Sequence, residues 1–291
     1  MELNDLLKKK GYDPERVLVL RHRPYEPELN RRFRWIAAER PDLFNAYQQT
    51  HGEKLENTMT KASHVVSFIG HKPGRAVFVG LYAIGQTQRI TREEYWRIPA
   101  YAELRELGMN GFTEADPRSS VLRFDLEREE FYDFWKGRLV VEWPAPERSW
   151  WRRAHRNLIP IQAVLEDSAL EEQMPAWDKI ILSWQDLKTL PTHWRTVLCH
   201  WRGIYYIFDT NQRKGYVGAA YGEENLCHRW ENYALSGHGG NSLLKKCDPA
   251  NFHFSILQIV SPDADPRDVV QLEGTWKERL HSRSPLGLND N

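Results

Sequence analysis

The chain has 291 residues, which suits two domains of ordinary size, and its 40 Lys+Arg balance its 40 Asp+Glu. That balance excludes a global basic field, so any nucleic-acid contact must come from local patches and weaken with salt. Cys199, Cys227 and Cys247 lack C-x-x-C spacing, Met1-Glu2-Leu3-Asn4 begins no signal peptide, and no apolar run approaches a membrane span, which together predict a cytoplasmic protein with neither a disulfide framework nor a membrane partner.

From Val17 to Val164 strand-like and helix-like runs alternate. The strand candidates are Val17–Leu20, His64–Ile69, Ala76–Ile84, Val121–Asp125, Leu139–Trp143 and Leu158–Val164, rich in Val, Ile, Phe and Tyr and bounded by Gly, Pro or charge. Asn30–Ala46 and Glu93–Leu107 read as helices, and Ser63–Gly85 reads as a hairpin around Gly70-His71-Lys72-Pro73-Gly74. Short strands with interspersed helices predict a small mixed α/β barrel over residues 1–165. That hairpin entry and the run Trp135-Lys136-Gly137-Arg138-Leu139-Val140-Val141 look similar to PUA-like domains.

Residues 166–198 turn acidic and then aromatic. With few Gly and Ser and many apolar anchors they predict a packed connector rather than a tether, with Thr192 as the N-cap of a helix. The last part, 199–291, opens with Gly203-Ile204-Tyr205 and Tyr216-Val217-Gly218 on two strand runs flanking the polar loop Thr210-Asn211-Gln212-Arg213. Pairing Asp209 with Lys214 sets Tyr205 opposite Gly218 and Ile207 opposite Tyr216. Because side chains alternate, both tyrosines then point to one face, where Gly203 and Gly218 would leave room for a ligand.

Gly222–Ser236 reads as a helix with Leu226, Trp230 and Tyr233 as its packed stripe and Gly237 as its stop. Arg229 and Tyr233, four apart, share a face. A planar, always-charged guanidinium suits the charge that phosphodiester cleavage builds on non-bridging oxygens. His238 follows in a loop of small residues, where a proton-transfer role and a plain loop histidine weigh equally. Pro266–Ser282 reads as a second helix, capped by Asp265, with Val269, Leu272, Trp276 and Leu280 as its buried stripe. Glu273 at the border of that stripe offers a hard oxygen ligand, or an i,i+4 salt bridge to Lys277, or both.

This ordered set, closing with Gly287-Leu288-Asn289, resembles the GIY-YIG nuclease family over about the last third of the chain. The resemblance implies an α+β domain with a small antiparallel three-stranded sheet flanked by helices. It also implies an endonuclease in which Tyr205 is the general base, Glu273 binds Mg²⁺ (or Mn²⁺), Arg229 stabilises the transferring phosphate, and Asn289 positions the glutamate or the tyrosine. Tyr233 stands where many family members carry histidine, so it shares the proton-relay assignment with His238, while Tyr216 joins Tyr205 in activating water.

The mixed charge and aromatic run Arg148, Trp150, Trp151, Arg152, Arg153 suits phosphate contact with base stacking, as does Arg31-Arg32-Phe33-Arg34-Trp35. The more ordinary reading is a pair of helices whose arginines snorkel over a tryptophan core. Lys245 and Lys246 extend the positive surface of the last part. The function expected is metal-dependent cleavage of double-stranded DNA. PUA-like readers joined to nucleases commonly select modified or flipped bases, which points to modification-dependent restriction in phage defence. The alternatives are a structure-specific repair or recombination nuclease, or an inactive nucleic-acid-binding module. A monomer and a dimer both remain open.

Overall fold

In the computed structural model, which describes residues 1–290, chain contacts separate Met1–Glu172 from the residues that begin at Gln173. The division falls inside the segment read as a connector, so most of that segment folds with the C-terminal unit.

The first unit contains α1 (Leu3–Lys9), β1 (Val17–His22), α2 (Pro27–Glu39), α3 (Pro41–Tyr47), α4 (Glu53–Met59), β2 (His64–Gly70) and β3 (Arg75–Thr91). It continues with α5 (Arg92–Arg97), α6 (Pro99–Glu106), β4 (Ser120–Glu129), β5 (Leu139–Glu142), β6 (Trp151–Arg153) and β7 (Ile161–Val164). Two predicted helices are each two helices here, because Pro41 and Pro99 open new ones. A proline lacks the N–H that a continuing helix needs and disfavours helical backbone in the residue before it.

The strands form one sheet in the order β6-β1-β2-β3-β5-β7, with β4 also paired to β3. β1 and β2 run parallel and every other pair is antiparallel, so the sheet is mixed. The 17-residue β3 serves β2, β4 and β5 along different stretches, with register shifts at Ser67/Phe68 and at Ile84/Thr87. Such bulges bend a strand and increase its twist, and the sheet curls into a half-barrel.

Every residue of β1 is buried, because both sheet faces are covered. Leu18 and Leu20 enter a core shared with Phe33, Phe44, Tyr95 and Phe124, while Val17 and Val19 enter another with Leu3, Phe68, Phe78 and Phe131. The predicted hairpin is present as β2 and β3.

The second unit contains β8 (Ile181–Ser183), α7 (Trp184–Lys188), α8 (Thr192–His200), β9 (Arg202–Asp209), β10 (Lys214–Ala220), α9 (Leu226–Ser236), β11 (Phe252–Val260) and α10 (Pro266–Arg279). Its antiparallel sheet has four strands, not three, in the order β10-β9-β11-β8. The added β8 alternates buried Ile180, exposed Ile181 and buried Leu182. Three residues are too short a run for periodicity to reveal.

Thr192 is the first residue of α8 rather than its cap. The cap with a reciprocal box lies earlier, between Ser183 and Asp186. Cys199 and Cys227, distant in sequence, share one core and are both reduced. Among the described residues no helix is long and apolar enough to cross a membrane.

Candidate functional site

The β9–β10 hairpin has the predicted register, with Lys214 opposite Asp209, Tyr216 opposite Ile207 and Gly218 opposite Tyr205. Tyr205 and Tyr216 therefore share the sheet face that packs against α9 through Trp230 and Tyr233. The opposite face carries Ile204, Val217 and Ala219 against Val269, Leu272 and Trp276 of α10. Leu280, expected in that buried stripe, is exposed, because α10 ends at Arg279.

The two glycines do not leave open space. A Cβ on Gly218 would lie 2.5 Å from the Tyr205 hydroxyl, and one on Gly203 would collide with the backbone of Gln258, beside the bulge at Ile256/Gln258. Gly218 is thus the condition for the Tyr205 ring to lie flat across β10.

Three phenols meet there. The Tyr205 and Tyr233 hydroxyls are 3.2 Å apart, and their rings meet edge-on at 6.1 Å. The Tyr216 ring is 6.4 Å from that of Tyr233. Burial, above all, pushes all three phenols above the ordinary tyrosine value. For Tyr205 the neighbouring Tyr216 and the Glu273 carboxylate add to the rise, while the Tyr233 hydrogen bond and Arg229 oppose it. At rest all three are hydrogen-bonding phenols, not phenolates.

Arg229 stands at the rim, on a helix capped by Asn225, whose side chain accepts from the His228 N–H at 2.9 Å. α9 begins at Leu226 rather than Gly222, since the preceding residues form a turn before the Asn225 cap. Burial disfavours the guanidinium's charge, but the oxygens of Tyr205 and Glu224 outweigh it and hold the group protonated. One of its nitrogens pairs with the exposed Glu224 carboxylate at 2.7 Å. Its Nε is inaccessible and has no hydrogen-bond partner among the described residues, an unmet donor of the kind a bound oxyanion satisfies. Glu224 was not singled out in the sequence; its one signal is a carboxylate five residues before the arginine.

Glu273 lies close enough to Tyr205 and Tyr216 to disfavour their ionisation. Its carboxylate meets the Lys277 ammonium at 3.0 Å, with both side chains largely buried, so the i,i+4 pair exists. A single carboxylate is a ligand that Mg²⁺ or Mn²⁺ accepts when water and phosphate complete its shell. Among the described residues no three His, Cys, Asp or Glu side chains converge into a richer cluster.

Asn289 is 1 % exposed and clasps one backbone residue from both sides. Its Oδ1 accepts from the Val217 N–H at 2.9 Å and its Nδ2 donates to the Val217 carbonyl at 2.8 Å. Beside it, the Leu288 N–H donates to the Gly215 carbonyl at 2.8 Å. The C-terminal segment thus covers the open edge of β10, and Asn289 fixes the residue between Tyr216 and Gly218 instead of touching a phenol hydroxyl or Glu273.

His238 folds onto its own loop, its Nδ1 accepting from Gly240 N–H at 2.9 Å, and no hydrogen bond joins it to the phenols among the described residues. Lys245 and Lys246 are exposed on a single helical turn. In the first unit the Arg148–Arg153 run is not helical, because it is drawn out as the edge strand β6 and the loop before it. Arg152 is turned inward, donating to the carbonyls of Trp151, Pro144 and Pro146. Trp151 packs on the core, and Arg153 pairs through its backbone with Leu18. Arg148 and Trp150 do reach the wall of a cavity of about 660 Å³.

Comparison with protein-family models, with curated proteins and with solved structures finds no match to this chain.

Proposed function

We propose that the second unit is a GIY-YIG-like endonuclease domain that hydrolyses phosphodiester bonds of double-stranded DNA. The observation that carries this reading is the convergence of Tyr205, Tyr216, Tyr233, Arg229 and Glu273 from a hairpin and two helices onto one cluster. Five reactive side chains far apart in sequence rarely meet for packing alone.

In this reading the Arg229 guanidinium binds the scissile phosphate. Its unpartnered Nε and the exchange of Glu224 for a phosphate oxygen supply two donors to charge that grows in the transition state. The ionised form of Tyr205, a small fraction at neutral pH, orients the attacking water and takes its proton to become the phenol again, with Tyr233 Oη holding it by the hydrogen bond already present. Glu273 would hold Mg²⁺ or Mn²⁺, which when bound neutralises negative charge on the phosphate. Lys277 fixes the Glu273 carboxylate in place through their 3.0 Å ion pair. The first unit recognises the substrate, and modification of the base is the feature we propose that it selects, which would make the protein a modification-dependent restriction enzyme.

The test is cleavage of unmodified and phage-modified duplex DNA with and without Mg²⁺, by the parent chain and by Arg229→Ala and Glu273→Ala. Loss of cutting in both variants, with unchanged melting temperature, supports the reading. Parent-like cutting by a folded Glu273→Ala protein rejects the metal site.

A further inference from the structure

The wall of the first unit's large cavity is unusual in its chemistry. Tyr47, Tyr95, Phe112 and Trp150 line it together with His22 and His51. The two imidazoles contact the aromatic rings, His22 edge-on to Tyr47 at 5.5 Å and His51 tilted against Trp150 at 5.5 Å. Burial drives both imidazoles down, His22 to about 3 and His51 to about 4, so both are neutral at neutral pH, while Arg21, Arg118 and Arg148 share the wall with Glu26, Asp116 and Glu147. The Nε2 of His51 is inaccessible and has no partner among the described residues. At the cavity's edge Tyr25 is 80 % exposed and Trp150 36 % exposed, large rings that solvent alone would not favour.

A second cavity of about 270 Å³ shares Arg21, His22, Arg23 and Glu147 with the first. Its wall adds Arg34, Lys72 and Arg75, all close enough to His71 to lower its basicity further after burial has done so. Arg23, Arg34, Lys72 and Arg75 make no ion pair with a carboxylate among the described residues. Such a cluster of unpaired cations is held apart by scaffold and suits an anion.

An aromatic chamber in which cations and carboxylates are mixed thus adjoins a cleft richer in cations. Size sharpens the choice of ligand. A purine has about ten heavy atoms, and at the roughly 30 Å³ that a liquid water occupies each this is at most about 300 Å³. The chamber exceeds that, which leaves room for a base with a bulky substituent or for a base with its sugar.

We propose that this chamber takes one nucleotide, its heterocycle among Tyr47, Trp150, His22 and His51 and its phosphate in the cleft of Arg23, Arg34, Lys72 and Arg75. The proposal rests on the reading of the first unit as the part that recognises nucleic acid. Two sources share this chemistry, a nucleotide swung out of a strand and a free nucleotide. Extrusion from a duplex is cheapest for a mismatched or altered base.

The test uses the full-length chain carrying Arg229→Ala, in EDTA, so that binding is read without cutting. Anisotropy is measured on three labelled duplexes of one sequence: matched, with a central C·A mismatch, and with one glucosylated 5-hydroxymethylcytosine. Unlabelled dCMP is the competitor. The mismatched or glucosylated duplex should bind at least tenfold more tightly than the matched one. Trp150→Ala and Tyr25→Ala, both at partly or largely exposed positions and so safe for folding, should reduce that preference to under twofold. Lys72→Ala should weaken all duplexes alike and lower the salt slope by about one.

Competition by dCMP that Trp150→Ala abolishes assigns free nucleotides as a source, whereas a duplex preference without such competition assigns the strand. The proposal is overturned if all duplexes bind equally and dCMP does not compete, or if the preference survives both aromatic substitutions. The nuclease reading fails separately, if the parent chain with Mg²⁺ leaves the bound duplexes uncut.

Discussion

Replacing Asn289 with alanine removes two hydrogen bonds from a single buried backbone residue, and the structure sets the size of the effect. The Val217 N–H and carbonyl lie on the outer edge of β10, where no further strand pairs with them, and the Asn289 amide meets both. A typical hydrogen bond contributes a net of about 0.5–1.5 kcal/mol, but a buried group left unpaired loses about 1–3 kcal/mol. With one donor and one acceptor released together, Asn289→Ala should destabilise the protein by about 2–4 kcal/mol. Asn289→Asp should be no better, since it keeps the acceptor for Val217 N–H but turns a carboxylate oxygen toward the Val217 carbonyl.

Urea unfolding followed by circular dichroism gives the first number, and amide exchange at Val217 gives the local one. Because Val217 separates Tyr216 from Gly218, cleavage should fall with stability, while truncation after Asn289 removes, among the described residues, the exposed bond from Ser242 to Asp290 and should be nearly silent. A loss under about 0.5 kcal/mol with Val217 exchange unchanged would refute the assignment, since unpaired buried groups cannot be that cheap.

Arg229→Ala should lower kcat by about 10²–10³, the usual effect of losing one transition-state donor, and equal activity in a folded variant would exclude Arg229 from the chemistry. Tyr233→Phe keeps the ring over Gly239 but removes the hydroxyl that favours ionisation of Tyr205, so the pH–rate profile should move to higher pH; an unmoved profile would leave Tyr233 a packing residue. If Tyr205 is the base, its raised pKa requires log(kcat/KM) to climb about one unit per pH unit from about pH 6 to 9, and a plateau inside that range would assign the titration elsewhere. His22, neutral when folded down to about pH 3 and protonated when unfolded below about 6.5, makes stability fall as pH drops between those values, by about 2 kcal/mol at pH 5; His22→Asn should flatten that dependence, and an unchanged slope in urea titrations would contradict it.

The hairpin register was legible because it needs only alternation and one polar loop, and Asp265-Pro266 and Gly237 were legible because caps are local chemistry. What escaped depends on the third dimension. β8 is three residues long, and its pairing with β11 joins segments about seventy positions apart. The splits at Pro41 and Pro99 were written in the sequence, since a proline cannot continue a helix but readily opens one. Arg152 and Arg148 look alike in sequence, yet one donates to three buried carbonyls and the other stands exposed on a cavity wall. The chamber itself had no linear signature, since its rings come from β1, α3, the loop after it, α5, the loop after α6 and the loop before β6.

The balanced charge of the whole chain takes on meaning only when it is located. In the first unit the cations gather in a cleft beside an aromatic chamber of mixed charge, and in the second a lone guanidinium stands over three protonated phenols and one carboxylate. Neither arrangement has a field that reaches far through salt water, because charges separated by more than a Debye length are screened. Encounter with a polyanion would then be slow and salt-sensitive, and selection would fall to contacts made after arrival: ring stacking in the chamber, and the guanidinium's unmet donor at the phosphate. A protein whose cleavage would be destructive if indiscriminate is better served by that division than by a strongly basic surface, since non-specific affinity for DNA is set by the number of phosphates neutralised.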